Sequence, residues 1–261
     1  MTLKLITFDV TNTLLKIRGS VGEHYATVAN RYFGATGKWF GSEKTEKAFV
    51  HAYKEVDTLM PNFGYHNNIS SEVWWYEVVH RVFYNLGLHD IGILKSISNQ
   101  LYTDYCASTR YQLFPETKTV LRQLKAETGI KIGIISNFDE RLDLLLEQLE
   151  IRKYLDFILC SRSVGMAKPG AKIFKTALAL CDDGIQPKEA LHVGDNLKLD
   201  YIAARDAGLN SLLINRGKKQ ESLHQSDPSV VCIYTLESLL PSHLQNLEPF
   251  KKFSFQRRIT K

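Results

Sequence analysis

The feature that most constrains this chain is a series of short apolar, β-branched runs, each ending in polar or turn residues. The runs are Leu3–Phe8, Lys131–Ile135, Phe157–Cys160, Ala190–Val193 and Ser211–Ile214. Continuous apolar runs of this length are typical of strands that are buried on both faces, as in parallel sheets. We therefore expect a sheet that is covered on both sides.

Segments with helical periodicity lie between the later runs. They are Thr117–Glu127, Glu140–Glu150, Ala171–Cys181 and Leu199–Ala207. Gly129 and Gly208 follow two of these segments, where glycine commonly ends a helix. Strand and helix therefore alternate, which indicates βαβ units with right-handed crossovers. We predict an α/β fold with a Rossmann-like parallel sheet.

The stretch between the first run and the rest has a different pattern. It contains no strand-like run, but it has long helical patterns around Gly22–Phe33, Glu43–Leu59, Ser70–Leu86 and Asp90–Ser108. Because the first strand belongs with the later sheet, this stretch is expected to be an inserted helical cap. Ligands of open α/β sheets bind beyond the carboxyl ends of the strands, and an insert that leaves the first strand is expected there as a lid.

The predicted organisation has three parts. Residues 1–15 and 115–245 form the Rossmann-like core, and residues 16–114 form the helical cap. Residues 246–261 are a basic tail, with Lys251, Lys252, Arg257, Arg258 and Lys261. A solvated terminus is the simplest interpretation of that tail.

Composition narrows the possible compartments and partners. The chain is 44% hydrophobic and 23% charged, as in globular proteins. No apolar stretch approaches the ~18 residues of a membrane span, and Met1–Val10 lacks the features of a signal peptide. The cysteines form no C-x-x-C pair, which favours reduced thiols. We therefore expect a cytoplasmic protein with no membrane partner, with a nuclear or organellar location as the alternative.

Charge narrows the expected partners further. The net charge of +5 mildly favours anionic ligands such as phosphorylated metabolites, but it is too small and dispersed for nucleic acid. Charge alone identifies no ligand, but a small phosphorylated metabolite is compatible with it, and a monomer or weak homodimer is the expected state.

Four short motifs follow predicted strands in order. The first begins at Asp9, whose carboxylate could attack a phosphoryl or alkyl carbon centre and form a covalent intermediate, or could cap a turn. The second is Ser136-Asn137, which offers a hydroxyl and a backbone N–H to a phosphoryl oxygen, or caps the next helix. Neither motif decides between these alternatives alone.

The third and fourth motifs add charge. Lys168-Pro169 carries an ammonium that could neutralise a nucleophile and a phosphoryl group, although a lone loop lysine is usually solvated. Asp195 and Asp200 lie across a strand-to-helix turn after Gly194. Each could cap a helix, but the pair suits Mg²⁺, which prefers oxygen ligands and typically takes one or two carboxylates.

The order strand-Asp, strand-Ser, Lys-Pro, strand-Gly-Asp-x-x-x-x-Asp resembles the haloacid dehalogenase superfamily from residue 3 to about residue 215. A narrower resemblance, to one group of its members, rests on Ser136–Asp139, His192–Asn196 and Pro61–Gly64 followed by Trp74-Trp75. The resemblance implies a Rossmann-like core, a helical cap and Mg²⁺-dependent hydrolysis, most simply as a phosphatase.

The resemblance also assigns roles residue by residue. Asp9 becomes the nucleophile, Ser136 and Asn137 bind the phosphoryl group, and Lys168 clamps it electrostatically. The implied Mg²⁺ ligands are Asp9, the backbone carbonyl of Thr11, Asp195 and Asp200. Asp200 is expected to support the metal shell or to orient Lys168.

Position 11 departs from the pattern. Phosphatases of the superfamily usually carry a second aspartate there as general acid and base. Thr11 cannot shuttle protons near neutral pH, which removes about 10²–10⁴-fold of acid–base catalysis. P-type ion pumps resemble the chain here, because their aspartyl-phosphate motif has threonines matching Thr11 and Thr13.

Two functions therefore remain from the sequence: a phosphatase that works through Asp9, or a catalytically weak or inactive protein that binds a phosphorylated ligand or partner. A dehalogenase fits less well, because those enzymes need no metal and lack the Gly194-Asp195 pair.

Four other residues carry expectations. Asn12 stands where the superfamily usually has glycine, and asparagine tolerates left-handed backbone better than most residues. Trp74 and Trp75 are interpreted as cap core instead of substrate pocket. His192 is interpreted as a buried strand histidine whose hydrogen bonds are satisfied.

Overall fold

The computed structural model describes residues 2–181, 184–217, 229–247, 250–252 and 254–255 of the 261-residue chain. Most of the predicted basic tail at residues 246–261 lies outside the described residues. The chain divides into two units. A sheet unit contains Met1–Lys16, Leu113–Asn137 and Leu146–Lys261, and a helical unit contains Ile17–Gln112 and Phe138–Leu145.

The strands are β1 (Thr2–Leu3), β2 (Leu5–Phe8), β3 (Leu15–Ile17), β4 (Tyr111–Leu113), β5 (Lys131–Ser136), β6 (Phe157–Cys160), β7 (Ala190–Gly194), β8 (Asn210–Ile214), β9 (Cys232–Ile233) and β10 (Ser254–Phe255). Six of them form a parallel sheet in the order β6-β5-β2-β7-β8-β9. Every apolar run named above contributes a strand to this sheet. The predicted α/β, Rossmann-like fold is confirmed.

The strand β2 lies in the middle of the sheet, and its register decides where the polar ends meet. All four of its residues are buried, because neighbouring strands and flanking helices cover it. Phe8 is level with Ile134 of β5 and with Val193 of β7. The residues that follow β2, β5 and β7 therefore emerge together at one edge of the sheet.

The helices are α1 (Val21–Asn30), α2 (Phe33–Thr36), α3 (Ser42–Leu59), α4 (Ser71–Asn85), α5 (Ile91–Asp104), α6 (Thr117–Glu127), α7 (Leu142–Gln148), α8 (Ser161–Val164), α9 (Ala171–Ala179), α10 (Ala203–Asp206) and α11 (Pro241–Leu244). A π-helical turn at Leu197–Ile202 precedes α10, where the sequence suggested one α-helix. None of the described helices combines the length and apolar character needed to cross a bilayer.

Two predicted helix ends behave differently. Gly208 has a φ of +87° and follows α10, as expected for a glycine helix end. The expectation for Gly129 is wrong: α6 ends at Glu127, the cap residue Thr128 is extended, and Gly129 does not have a positive φ. The Thr128 hydroxyl donates to the Leu124 carbonyl at 2.5 Å, which satisfies the last turn without a left-handed residue.

In the helical unit, α1 lies against α3, α3 against α4, and α4 against α5. Trp74 is fully buried among these helices, as its interpretation as core requires, and Trp75 packs partly buried beside it. Gly22 allows close approach of α1 and α3, because a Cβ there would lie 2.5 Å from the Glu46 nitrogen and from the Ser42 carbonyl oxygen. A larger residue would push the helices apart.

Two details of this region differ from the sequence expectation. The short strands β3 and β4 pair with each other at the ends of the helical insert; three residues are too few to produce a readable alternation. Residues 138–145, inside the range predicted for the core, belong to the helical unit. Asp139 is their anchor, because its Oδ2 accepts from Trp75 Nε1 at 2.7 Å.

Candidate active site

The nucleophile candidate Asp9 directly follows β2 and is 8% exposed. Its Oδ1 accepts hydrogen bonds from the Lys168 ammonium at 2.8 Å and from the Ser136 hydroxyl at 3.1 Å. Ser136 is the last residue of β5, so the sheet register explains its position. Three of the residues singled out in the sequence are thus in direct contact.

Lys168 precedes α9 and links two carboxylates. Its Nζ lies 2.8 Å from Asp9 Oδ1 and 2.5 Å from Asp200 Oδ1, in a setting where the lysine is 4% exposed. Burial alone would lower the pKa of Lys168, but the charges of Asp9 and Asp200 outweigh it and hold that pKa above its usual value. The ammonium therefore stays charged.

The pKa values of the Asp9 and Asp200 carboxyl groups shift in opposite directions. Burial, opposed by Lys168, leaves the pKa of Asp9 above its usual value. Burial acts the same way on Asp200, but Lys168 and His192 outweigh it and hold the pKa of Asp200 well below its usual range. Asp200 is consequently the firmly ionised partner of the ammonium.

Asn137 contacts Lys168 through its side chain. Its Nδ2 donates to the Lys168 carbonyl at 2.8 Å, and its Oδ1 accepts from the Lys168 backbone N–H at 2.8 Å. Both ends of the amide are therefore used to hold the loop that carries the ammonium. A contact of Asn137 with substrate would come from its backbone N–H, which stays a prediction.

Gly194 makes room for Asp200. A Cβ at position 194 would lie 2.2 Å from the Asp200 Cγ, so any side chain there would displace the carboxylate. Asp200 Oδ2 accepts from the Asn196 backbone N–H at 3.0 Å. The helix cap is supplied by the Asn196 side chain, which accepts from the backbone of Lys198 and Leu199.

The loop after Asp9 is tightly turned. Asn12 has a φ of +58°, which confirms the left-handed backbone expected at this position. Its backbone N–H donates to the Leu15 carbonyl at 2.6 Å, and its side chain hydrogen-bonds Asp195. Thr11, half-buried, lies in the same turn two residues after Asp9.

The carboxylates fit a divalent cation. Asp9, Asp195 and Asp200 each offer an oxygen, and these atoms lie within 4.8 Å of one another. Burial and then the charges of Asp9 and Asp200 raise the pKa of Asp195 to about 7. Three carboxylates face one ammonium, so a hard dication with oxygen ligands would balance the charge. Both Asp200 oxygens already accept protein hydrogen bonds, which leaves Asp9 and Asp195 better placed as ligands.

His192 is a residue of this cluster whose contact the sequence did not reveal. It is fully buried, as interpreted, and its Nε2 lies 3.2 Å from Asp200 Oδ1. The available signal was alternation along β7: His192 and Gly194 share a face of the strand. The space left by the glycine is the space that Asp200 occupies beside the imidazole.

Comparison with known proteins adds a family context. A family model described as haloacid dehalogenase-like hydrolase matches residues 3–208. The chain is 36% identical, over 241 residues, to haloacid dehalogenase-like hydrolase domain-containing protein 3 of Xenopus laevis, covering 92% of this chain and 96% of that protein. The narrower resemblance seen in the sequence is thereby confirmed.

Solved structures show the same fold. A 2-haloacid dehalogenase from Pseudomonas syringae matches with a TM-score of 0.64 and 21% identity, covering 94% of this chain and 99% of that one. A HAD phosphatase from Thermococcus onnurineus matches with a TM-score of 0.60 and 22% identity, covering 91% and 96%. At these identities the likeness concerns architecture, and it is shared by dehalogenases and phosphatases.

Proposed function

Because the chain belongs to the haloacid dehalogenase-like hydrolase family, we propose that it is a Mg²⁺-dependent phosphatase acting on a small phosphorylated metabolite through an aspartyl-phosphate at Asp9. The observation that carries the proposal is the buried Asp9 carboxylate, held on one oxygen by Lys168 and Ser136 and flanked by Asp195. The proposed nucleophile, clamp and cation site lie together at one edge of the sheet.

The first chemical step uses the second oxygen of Asp9. Both contacts fall on Oδ1, so Oδ2 attacks phosphorus while the bond from phosphorus to the ester oxygen breaks and the electron pair leaves with that oxygen. Lys168 and Ser136 hold the carboxylate and donate toward developing charge. When bound at Asp9 and Asp195, Mg²⁺ supplies positive charge to the phosphoryl oxygens.

The second step returns Asp9 to its starting form. Water attacks the aspartyl-phosphate, the bond between phosphorus and the Asp9 oxygen breaks, and inorganic phosphate leaves. The water gives up a proton, which Thr11 cannot accept as a carboxylate would. The proton passes to solvent or phosphate, so the aspartyl-phosphate is long-lived and turnover is slow.

The dehalogenase alternative is disfavoured by the same cluster. Dehalogenases of this superfamily need no metal, whereas three carboxylates around one ammonium leave charge for a cation to balance. Metal-free incubation with 2-chloropropionate checks this directly, with chloride release as the readout. Chloride release comparable to phosphate release would replace the proposal.

A second candidate function follows from Thr11. Without a carboxylate at position 11, the same pocket could bind a phosphorylated ligand or partner with little or no turnover. Lys168, Ser136 and the cation site would then serve affinity, and Asp9 would not be phosphorylated.

Hydrolysis of p-nitrophenyl phosphate, acetyl phosphate and glycerol phosphate by the wild type, Asp9→Asn and Thr11→Asp separates the candidates. The first two release anions that need little protonation, so they bypass the missing acid. We expect Mg²⁺-dependent turnover that vanishes in Asp9→Asn. In Thr11→Asp, glycerol phosphate should gain most, within about 10²–10⁴-fold.

Three outcomes are decisive. Turnover in the wild type that survives in Asp9→Asn would overturn the nucleophile assignment. Activity only in Thr11→Asp would show an intact pocket without catalysis, which is the binding protein. Inactivity of all three proteins against every one of these substrates would also favour the binding protein.

A further inference from the structure

We propose that His192, fixed by Thr7, is a positioning residue that holds Asp200 and thereby keeps the Lys168 ammonium against Asp9. The proposal deepens the proposed function and rests on it. Neither Thr7 nor His192 touches the expected position of the substrate, so their effect would pass through Asp200.

A continuous line of hydrogen bonds joins these residues. The Thr7 hydroxyl lies 2.8 Å from His192 Nδ1, and His192 Nε2 lies 3.2 Å from Asp200 Oδ1. The same Asp200 oxygen accepts from Lys168 Nζ at 2.5 Å, and that ammonium also donates to Asp9. Four contacts thus lead from the interior of the sheet to the nucleophile.

The sheet register determines the first contact. Thr7 of β2 and His192 of β7 are direct neighbours across the parallel pair, and both are fully buried. The imidazole and the Phe174 ring also pack edge to face, with centroids 5.1 Å apart and planes at 82°. Thr7 and Phe174 therefore both contact the imidazole, whose Nε2 lies toward Asp200.

The tautomer decides whether this edge attracts or repels the carboxylate. With a proton on Nε2, His192 donates a hydrogen bond to Asp200, and its Nδ1 accepts a hydrogen bond from the Thr7 hydroxyl. With the proton on Nδ1 instead, a lone pair would face the carboxylate. The other acceptor near the Thr7 hydroxyl, the Leu191 carbonyl, is 3.5 Å away. The shorter contact to Nδ1 therefore selects the attractive form.

A neutral imidazole suits this task. Because Lys168 already contacts Asp200, a neutral imidazole donates one hydrogen bond to that carboxylate without adding a second cation. Lys168 then stays the principal positive charge beside Asp9. An apolar residue could fill the same space, but it would leave Asp200 Oδ1 with one donor fewer.

Two Thr7 variants of similar size test the proposal. Thr7→Val keeps the branched shape and removes the hydroxyl, whereas Thr7→Ser keeps the hydroxyl and removes the methyl. Loss of such a supporting hydrogen bond typically costs about 10- to 100-fold. We expect that loss in kcat for Thr7→Val, with KM for p-nitrophenyl phosphate nearly constant, and recovery of most of kcat in Thr7→Ser.

Thermal stability should rank the two variants in the opposite order to kcat, which distinguishes a positioning role of Thr7 from a packing role. Valine suits a buried strand better than serine, so thermal unfolding should rank Thr7→Val at or above Thr7→Ser. If kcat instead follows stability, with Thr7→Ser the poorer enzyme, both residues act only through packing and the proposal is overturned.

Substitution of the histidine gives a second test. His192→Gln can place an amide N–H near the Nε2 position, and His192→Leu cannot. Recovery of kcat by glutamine relative to leucine is expected, and equal losses in the two variants would contradict the role of a donor to Asp200.

A spectroscopic measurement keeps the proposal testable if turnover is absent altogether. Imidazole ¹⁵N chemical shifts of His192, recorded in the Mg²⁺-loaded full chain, report which nitrogen carries the proton. The proposal requires the neutral Nε2–H form, which donates to Asp200, in the wild type and in Thr7→Ser. A proton on Nδ1 in the wild type would overturn the proposal, whereas inactivity with the Nε2–H form present would count against the phosphatase alone.

Discussion

Each unit contains a buried cluster in which a cation lies beside one or more carboxylates, and the charge balance of these two clusters differs. In the sheet unit, the Lys168 ammonium contacts Asp9 and Asp200, and an oxygen of Asp195 lies within 4.8 Å of an oxygen of each of these carboxylates. In the helical unit, Asp139 faces the single guanidinium of Arg141. The first cluster carries excess negative charge, and the second is neutral as it stands.

The second cluster is also saturated with hydrogen bonds. Asp139 Oδ1 accepts from the backbone N–H and the Nε of Arg141, and Oδ2 accepts from Arg141 Nη2 and Trp75 Nε1. The Arg141 guanidinium lies over the Tyr102 ring, 4.6 Å from its centroid. A cluster whose charges are balanced and whose hydrogen bonds are satisfied stabilises a loop, whereas a cluster with excess charge is suited to bind a ligand.

The largest expected effect is on stability in the helical unit. Asp139→Asn removes the charge that balances Arg141 and turns an NH₂ group toward N–H donors, whichever way the amide lies. Removing one partner of a buried ion pair costs about 3–5 kcal/mol. We expect urea unfolding of the variant to show a loss of this order.

The exposed pair Glu43–Lys47, with side chains 83% and 75% exposed, supplies the control for that experiment. Glu43→Gln also removes one carboxylate from an ion pair on a helix of the same unit, and it should change stability by less than about 1 kcal/mol. Equal losses in the two variants would mean that Asp139 does not anchor its loop.

The contrast between the clusters also shows what sequence reasoning could reach. The proximity of Asp9, Ser136 and Asp195 was predictable because each follows an apolar run, and parallel strands bring their ends together. Lys168 required the resemblance as well, since nothing in its loop marks it as buried. In each case the informative signal was the order of motifs along the chain.

Other features depended on tertiary contacts that no local pattern encodes. The hydrogen bond from His192 to Asp200 requires the register of β7 against β2, and the use of the Asn137 amide on Lys168 requires two loops to meet. The end of α6 was decided by the Thr128 hydroxyl and not by Gly129. Each of these contacts is one of several that the local sequence allows, and tertiary packing determines which one forms.

The next largest expected effect is on turnover at the cluster of Lys168 with Asp9, Asp195 and Asp200. Lys168→Met keeps a chain of similar length but removes the donor shared by Asp9 and Asp200. Loss of one preorganised donor costs about 10²–10³-fold in kcat, measured with p-nitrophenyl phosphate. Lys118→Met, at an exposed pair with Glu150, is the control and should leave kcat unchanged.

Lys168→Met also tests the difference between the two clusters, because bound Mg²⁺ can compensate for the missing ammonium. In saturating Mg²⁺, Lys168→Met should unfold at a temperature closer to the wild type than Asp139→Asn does. If both variants are destabilised equally with the metal present, the distinction between a cation-accepting cluster and a complete one fails.

The smallest expected effect is the pH dependence of Mg²⁺ binding, and its direction follows from the pKa of Asp195. Burial and the charges of Asp9 and Asp200 raise its pKa to about 7, above that of the unfolded chain. The ionised form is thus disfavoured in the metal-free fold, whose stability should fall as pH rises from about 4 to about 7. Mg²⁺ must displace this proton, so its affinity should rise about tenfold per pH unit below pH 7 and level off above.

Isothermal titration calorimetry in buffers of different ionisation enthalpy measures both the affinity and the proton released. About one proton per Mg²⁺ is expected at pH 6, and almost none at pH 8.5. Asp195→Asn should bind Mg²⁺ more weakly and lose most of the pH dependence. An affinity that stays flat between pH 5.5 and 8 in the wild type would mean that excess negative charge does not govern this cluster, because a carboxyl group already ionised at pH 5.5 has no proton to yield to the metal.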